Sequence, residues 1–202
     1  MYDKNVFINC PFDEGYRELF DALVFVVTDC GFEARCAKEA IDSGEGRIGR
    51  INKIIQECKF GIHDISRTEL DIVNGLPRFN MPLELGLFLG AKEFGTKKQR
   101  QKCCLVLDNE SYRYQKFISD ISGQDISAHN GKVDSAIGRV RDWLSNSLVE
   151  VMMPTESAIV KRYKEFRTSL PLYCATFKMR ESELTFVDFR NLIKIWLREN
   201  RW

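Results

Sequence analysis

The sequence lacks the residue patterns that mark common metal sites. It has only two histidines, His63 and His129, which lie far apart along the chain, and none of its seven cysteines forms a CxxC pair. Structural zinc sites need closely spaced cysteine and histidine ligands, so a metal site is not expected. The odd number of cysteines, scattered through apolar segments, indicates reduced thiols that act as small apolar side chains in the cytoplasm.

The signatures of several nucleotide-binding and hydrolytic sites are missing as well. The chain contains no GxxxxGK[ST] and no GxSxG, which excludes a P-loop and a serine nucleophile elbow. One GxGxxG match is present, GEGRIG at residues 44–49, but it does not directly follow a predicted strand, so it is not a Rossmann dinucleotide fingerprint. The stretch SGEGRIG, residues 43–49, reads either as a flexible connector or as a loop that contacts a phosphate.

Long apolar runs and a strong charge imbalance are also absent. No run approaches the ~20 apolar residues of a membrane span, and the start MYDKNVFINC lacks the charged leader and apolar core of a signal peptide. The net charge of +1 argues against nucleic-acid binding driven by charge. We therefore expect a cytoplasmic protein that binds neither a membrane nor nucleic acid directly.

The sequence does contain an alternation of strand-like and helix-like segments. Its 202 residues, 44% of them hydrophobic, suit one α/β domain with a small appendage. The predicted strands are NVFINC, FEARCAKE, KFGIHDIS and CCLVLD, and helical segments follow each of the first three. This pattern predicts an α/β fold: a parallel sheet of four to five strands with helices on both faces, plus a C-terminal helical extension.

A break near Pro154, in VMMPTES, suggests two parts. We predict an α/β domain over residues 1–150 and an α-helical extension over 151–202, with helices over 156–169 and 186–199 and the segment LPLYCATF between them. An apolar stripe runs along the last helix and is either core or a contact between subunits. The stripe consists of Phe186, Phe189, Ile193 and Trp196.

One acid stands in a run that is otherwise almost entirely apolar. In FNMPLELGLFLGAK the only acid is Glu84, and a helix from about Met81 to Glu93 would surround it with leucines and Phe88. A buried carboxylate without a partner costs several kcal/mol, so it needs a reason. The structural alternative makes Met81 the N-cap and Pro82 the first helical residue, which places Glu84 at the third position, where an acid favours the helix start.

Ligands of open parallel sheets bind beyond the carboxyl ends of the strands. The candidate residues near this edge are Pro11, Phe12 and Asp13 after the first strand, Glu39 after the second, Asp64, Ser66 and Arg67 after the third, and Phe79, Asn80 and Glu84 around the next helix start.

Ordinary structural roles compete with these assignments. Asp64 could cap a loop through backbone amides, Asp13 could be the N-cap of the first helix, and His63 could be a histidine of the core. The basic run over residues 97–102 reads as a solvated connector.

Two stretches carry a resemblance to known families. VFINCPFDEGYRELFDAL followed by GFEARCAKE resembles the start of a Toll/interleukin-1 receptor (TIR) type domain. HDISRTELDIVNGLPRFNMPLELGLFLGAK resembles the nucleoside 2-deoxyribosyltransferase family, in which a strand ends in an acid, a loop carries a small hydroxyl residue and a helix bears a glutamate. Asp64, Ser66 and Glu84 occupy those places. The resemblance covers roughly residues 5–148 and implies a flavodoxin-like architecture.

The resemblance implies an N-glycosidase whose substrate is NAD or a related nucleotide. It implies no separate cofactor, because NAD would be consumed as the substrate. Glu84 would stabilise the oxocarbenium-like charge at C1′ or attack that carbon, and Asp64 would hold the ribose hydroxyls. The other contacts it implies are to the base, from Phe12, Tyr16 or Phe79, and to a phosphate, from Arg67 or Arg47.

The same resemblance implies a homo-oligomer and would fit a prokaryotic immune effector with a role in antiviral defence. Two alternatives stay open. The chain could be a nucleotide-binding module that uses the same cleft without cleavage, or a TIR-like module for assembly and signalling.

Overall fold

A five-stranded, all-parallel sheet forms the centre of the molecule. The structure is a computed structural model that describes residues 2–39, 44–70, 75–121, 123–147 and 152–201. The strands are β1 (Asn5–Asn9), β2 (Glu33–Arg35), β3 (Phe60–Asp64), β4 (Cys103–Asp108) and β5 (Ile126–Ala128). Their order in the sheet is β2-β1-β3-β4-β5, which is the order of the flavodoxin-like fold. The predicted fold class is confirmed.

Helices follow the strands as the alternation predicted, and two more complete the chain. The α-helices are α1 (Arg17–Asp29), α2 (Arg47–Glu57), α3 (Asn80–Phe94), α4 (Val133–Asn146), α5 (Glu156–Thr176) and α6 (Phe186–Glu199). Short 3-10 helices cover Tyr2–Lys4, Glu14–Tyr16, Gln99–Gln101, Arg113–Lys116, Ser119–Ile121 and Glu181–Glu183. No helix in the described part of the chain has both the length and the apolar character needed to cross a bilayer.

Strand β1 shows why helices cover both faces of the sheet. Val6 and Ile8 belong to a large apolar cluster that includes residues of α1, α4, α5 and α6. Phe7, between them, packs instead with Ile54 of α2 and Phe88 of α3. Successive side chains of a strand point to opposite faces, so α1 and α4 cover one face and α2 and α3 the other. All five residues of β1 are buried, as is usual for a central strand of a parallel sheet.

The C-terminal helices pack on α1. The ring of Phe25 in α1 stacks on Phe166 of α5, with centroids 5.4 Å apart, and lies 6.0 Å from Trp196 of α6. The apolar stripe of α6 is buried here, so it serves as core and is not left for a contact between subunits. The predicted boundary near residue 150 falls within residues 148–151, outside the described residues.

The largest differences from the sequence prediction are in α5, β2 and β5. Helix α5 continues through Pro171 to Thr176. Pro171 is exposed, whereas Leu170 and Cys174 beside it are buried and hold the helix on the core, so the carbonyl that loses its partner can be hydrated. Strand β2 has only three residues, and a fifth strand, β5, forms outside the four predicted strand segments.

Candidate functional site

Asp64 is the centre of a buried polar network at the carboxyl edge of the sheet. Tyr16 Oη donates a hydrogen bond of 2.5 Å to Asp64 Oδ2, and the Ser66 amide donates one of 2.8 Å to Oδ1. His129 Nε2 lies 2.9 Å from Oδ2, although its direction misses the geometry of a hydrogen bond. The Gly131 amide donates to His129 Nδ1 at 3.0 Å, so in the neutral ring the proton sits on Nε2, facing Asp64.

This network limits the access of other molecules to the carboxylate of Asp64. Asp64 is completely buried, and both carboxylate oxygens have partners within the chain. The Ser66 bond is the loop cap that the sequence offered as an alternative. Burial raises the pKa of Tyr16, and the charge of Asp64 raises it further, so the phenol stays protonated and keeps donating. Because Asp64 has no exposed surface, a ribose hydroxyl can reach it only if the residues that cover it move.

A second polar pair lies on the opposite face of the sheet. Asn9 Nδ2 donates to Met81 O at 2.9 Å and lies 3.0 Å from His63 Nδ1. These contacts fasten the end of β1 to the first turn of α3. His63 is packed against Phe7 and Phe88, and burial lowers its pKa to about 3, which keeps the ring neutral. His63 is therefore a core histidine.

Glu84 is buried, at 5% exposure, although it does not cap its helix. Helix α3 begins at Asn80 with Phe79 as its N-cap, and no side chain bonds the cap. Glu84 is thus the fifth helical residue, beyond the third position that the structural alternative required, and that alternative is wrong. Its ionic contact within the described residues is Arg47 Nη2, 3.9 Å from Oε1. Burial raises the pKa of Glu84, and the charge of Arg47 opposes that shift.

Asp64 and Glu84 belong to two elements that both contact the end of β1. Cys10 directly follows β1 and is buried. Burial raises the pKa of its thiol, and the negative charges of Asp64 and then Glu84 raise it further. Asn9, which precedes Cys10, pairs with His63 of β3 and donates to Met81 O in α3, so the elements that carry the two acids meet at the end of β1.

The loop between β1 and α1 is bridged by an ion pair. Arg67 Nη2 lies 3.5 Å from Asp13 Oδ1, and a Cβ added at Gly15 would meet that nitrogen at 2.9 Å. Asp13 occupies the N-cap position of the 3-10 helix Glu14–Tyr16, which leads into α1, but its side chain makes no capping bond. Asp13 and Arg67, both candidates from the sequence, are thus brought together.

The remaining candidates are spread along the same edge. Arg35 Nε donates to both oxygens of Glu39, at 2.6 and 2.8 Å, and Arg190 of α6 lies 3.7 Å from Glu39. Glu39 therefore has a structural role at the end of β2. At the start of α3, Phe79 and Asn80 are exposed. Pro11 and Phe12 line the cavity described next.

A cavity of about 680 Å³ opens beside the β1–α1 loop. The described residues that line it are Pro11, Phe12, Asp13, Glu14, Arg17, Phe20, Asp21, Ala37, Lys38, Arg50, Leu184, Thr185, Phe186 and Phe189. Neither Glu84 nor Asp64 is among them. The cavity therefore lies towards β2 and α6, separate from the two acids.

Sequence reasoning missed His129 and the pair of Asp108 and Arg113. Arg113 Nη2 and Nε donate to Asp108 Oδ1 at 2.6 and 2.8 Å, and Nη2 also donates to Ile65 O. This guanidinium joins the loops that follow β3 and β4. A signal for Asp108 was present, because it ends CCLVLD as Asp64 ends its own strand. His129 gave a weaker signal, since β5 has only three residues.

No family model matches the chain. No curated protein matches it either. The resemblance to TIR-type domains and to nucleoside 2-deoxyribosyltransferases therefore stays a prediction.

Proposed function

We propose that the chain is a cytoplasmic N-glycosidase that cleaves the base–ribose bond of NAD or a related nucleotide, with Glu84 as its catalytic carboxylate. The observation that carries this proposal is the buried side chain of Glu84. Glu84 makes no hydrogen bond that caps the start of α3, and its one ionic contact within the described residues is a long one, to Arg47. A carboxylate kept out of water without a structural use is a candidate for chemistry.

The chemistry follows from that burial. In the reaction the C1′–N bond breaks, its electron pair leaves with the base, and positive charge develops at C1′. Ionised Glu84 would stabilise that charge or form an ester with C1′ that water then hydrolyses. Burial makes the carboxylate charge unfavourable in the resting protein. The positive charge of the transition state relieves this cost, so the stabilisation is greatest where it accelerates the reaction.

Neighbouring residues support the proposal with more modest roles. Arg47 lies 3.9 Å from Glu84 and Arg67 lies 3.5 Å from Asp13, and both arginine side chains are substantially exposed. Such pairs contribute little to stability, so either guanidinium can exchange its acid for a substrate phosphate. Asp64, held by Tyr16 and Ser66, fits a positioning role better than direct contact with ribose.

The direct test is release of free base from NAD and from deoxynucleosides, measured by chromatography. We expect Glu84→Gln to lower the rate by about 100-fold or more, and to fold as well as the wild type because no capping bond is lost. Glu93→Gln, an exposed acid on the same helix, is the matched control and should keep full activity.

The pH dependence gives a second readout of the same reaction. Only the ionised carboxylate can stabilise C1′, and burial raises the pKa of Glu84 above its ordinary value of 4.5. Activity should therefore decline as the pH falls through that raised pKa. Equal release of base by the wild type and by Glu84→Gln would refute the catalytic assignment.

A nucleotide-binding module without catalysis is the second candidate. It is favoured by the separation of the cavity from Glu84 and by the closed network around Asp64. This alternative predicts thermal stabilisation of the protein by a nucleotide with no product formed.

The glycosidase proposal also includes a homo-oligomer, and the exposed apolar side chains of Phe79 and Leu83 beside Glu84 support a contact there.

A further inference from the structure

The cavity beside the β1–α1 loop has walls from three distant parts of the chain. The loop itself contributes Phe12 and Asp13, the segment after β2 contributes Lys38, and the start of α6 contributes Thr185 and Phe186. Its volume of about 680 Å³ falls within the usual range for small-molecule sites, roughly 300–1,000 Å³. The C-terminal helix is therefore part of this site.

Aromatic rings make up much of the wall. Phe12 meets Phe20 edge-on with centroids 5.3 Å apart, and Phe186 of α6 lies 6.0 Å from Phe20. Phe189, one turn further along α6, also lines the cavity. Phe12, Phe20 and Phe186 thus form one continuous aromatic wall, on which a flat aromatic group can pack.

The two inner acids of the cavity are compensated by arginines that do not line it. Asp13 pairs with Arg67 at 3.5 Å, and Asp21 pairs with Arg167 at 3.0 Å. The remaining acid, Glu14, is exposed. The acids therefore leave little net negative charge inside the cavity.

Two cations of the lining, Lys38 and Arg17, are not held in ion pairs of this kind. The ammonium group of Lys38 lies 4.5 Å from the centroid of Phe12 and 5.6 Å from that of Phe20. Arg17 Nη2 donates to the carbonyl of Glu181 at 2.9 Å. Within the described residues neither cation has a carboxylate at ion-pair distance. Both can bind an anion at the mouth of the cavity without breaking an existing ion pair.

We propose that this cavity binds a small ligand in which a flat aromatic group is joined to an anionic group. The phenylalanines would take the aromatic group, and Lys38 with Arg17 would take the anion. Mononucleotides and aromatic carboxylates share this chemistry. Because Glu84 does not line the cavity, this site is independent of the proposed glycosidase reaction and goes beyond it.

Isothermal titration calorimetry on the full chain tests the proposal with four probes: AMP, nicotinate, adenosine and inorganic phosphate. We expect AMP or nicotinate to bind at least about tenfold more tightly than adenosine, which lacks the charge, or phosphate, which lacks the ring. The stronger of the first two identifies the kind of anion. Lys38→Glu should weaken that binding by about tenfold or more, since it reverses the charge at the mouth. Lys97→Glu, an exposed lysine far from the cavity in sequence, should leave it unchanged.

A second variant tests the contribution of α6. Phe186→Leu keeps an apolar side chain but removes the ring, and it should weaken binding of the same probe, with thermal melting confirming that the variant is folded. Glu84→Gln should bind the probe as the wild type does, so failure of the glycosidase proposal leaves this one standing. Failure of both anionic aromatic probes to bind, or binding that Lys38→Glu and Phe186→Leu leave intact, would overturn the proposal.

Discussion

At the scale of single residues, burial gives ordinary side chains unusual properties at the carboxyl edge of the sheet. Tyr16 and Ser66 hold Asp64 in place, and Glu84 is left without a cap to satisfy. A polar group inside a protein is stable only with a partner. A buried polar side chain with few partners inside the protein is therefore a candidate for ligand binding or catalysis. Glu84 is such a side chain, and we propose it as the catalytic carboxylate.

The buried ring of His63 makes the stability of the protein depend on pH. Its pKa is lowered to about 3 in the folded chain, whereas an unfolded histidine titrates near 6.5. Below that pH the unfolded state binds a proton that the folded state refuses. Above about pH 6.5 the buried ring therefore does not lower the free energy of unfolding. Between about pH 6.5 and pH 3 it lowers that free energy by up to about 1.4 kcal/mol for each unit by which the pH falls.

Urea denaturation at several pH values between 7.5 and 4.5 measures this effect. Other groups titrate in the same range, so the readout is the difference between the wild type and His63→Asn. The asparagine can still accept from Asn9 Nδ2 but cannot gain a proton. We expect the variant to lose less stability on acidification, and parallel pH curves for the two proteins would contradict the assignment.

At the scale of elements, a missing side chain in β3 determines how closely α3 packs on the sheet. A Cβ added at Gly61 would lie 2.7 Å from His63 Nε2 and 2.8 Å from the ring of Phe88. Phe88 is one turn beyond Glu84 on α3, so this close contact helps to set the position of the acid. Glycine at 61 is a packing requirement and needs no special backbone conformation.

Gly61→Ala should therefore destabilise the fold by about 1–3 kcal/mol, because two packed rings must shift. Gly90→Ala on α3 is the matched control. A Cβ at Gly90 meets nothing within 4 Å, and alanine favours a helix, so this variant should gain up to about 1 kcal/mol. Chemical denaturation of both variants measures the two effects, and equal stabilities would show that α3 has room to move.

Element boundaries were predictable where the local pattern and the tertiary packing agree. The predicted strand CCLVLD coincides with β4 (Cys103–Asp108), and the last helix begins and ends at Phe186–Glu199 as expected. Helix α6 has a complete capping box between Thr185 and Asp188, a signal written in the chain itself. Helix α5 broke the rule, since burial of Leu170 and Cys174 outweighed the helix-breaking effect of Pro171.

At the scale of the whole molecule, the C-terminal helices share one apolar cluster with α1 and α4. Phe166 of α5 is completely buried there, between Phe25, Phe189 and Trp196. Phe166→Ala should cost about 3–5 kcal/mol. The loss should appear as one shifted transition, because helices that share a core unfold together.

Thermal unfolding followed by both circular dichroism and tryptophan fluorescence checks this expectation. Leu172→Ala, an exposed position on the same helix, should change stability by less than about 0.5 kcal/mol. Two separate transitions, with only the second affected by Phe166→Ala, would mean that the C-terminal helices fold as an independent unit.

The sequence alone was sufficient for the alternation of strands and helices and for the parallel sheet, because these follow from local apolar periodicity and from the geometry of parallel strands. Only the tertiary structure decided which polar groups are satisfied. Lys102, in a run predicted to be solvated, is buried and donates to the carbonyls of Ile55 and Cys58. His129, 65 residues after Asp64, lies beside it. Such contacts join residues distant in sequence, and the energy of a buried polar group depends on partners that no local pattern specifies.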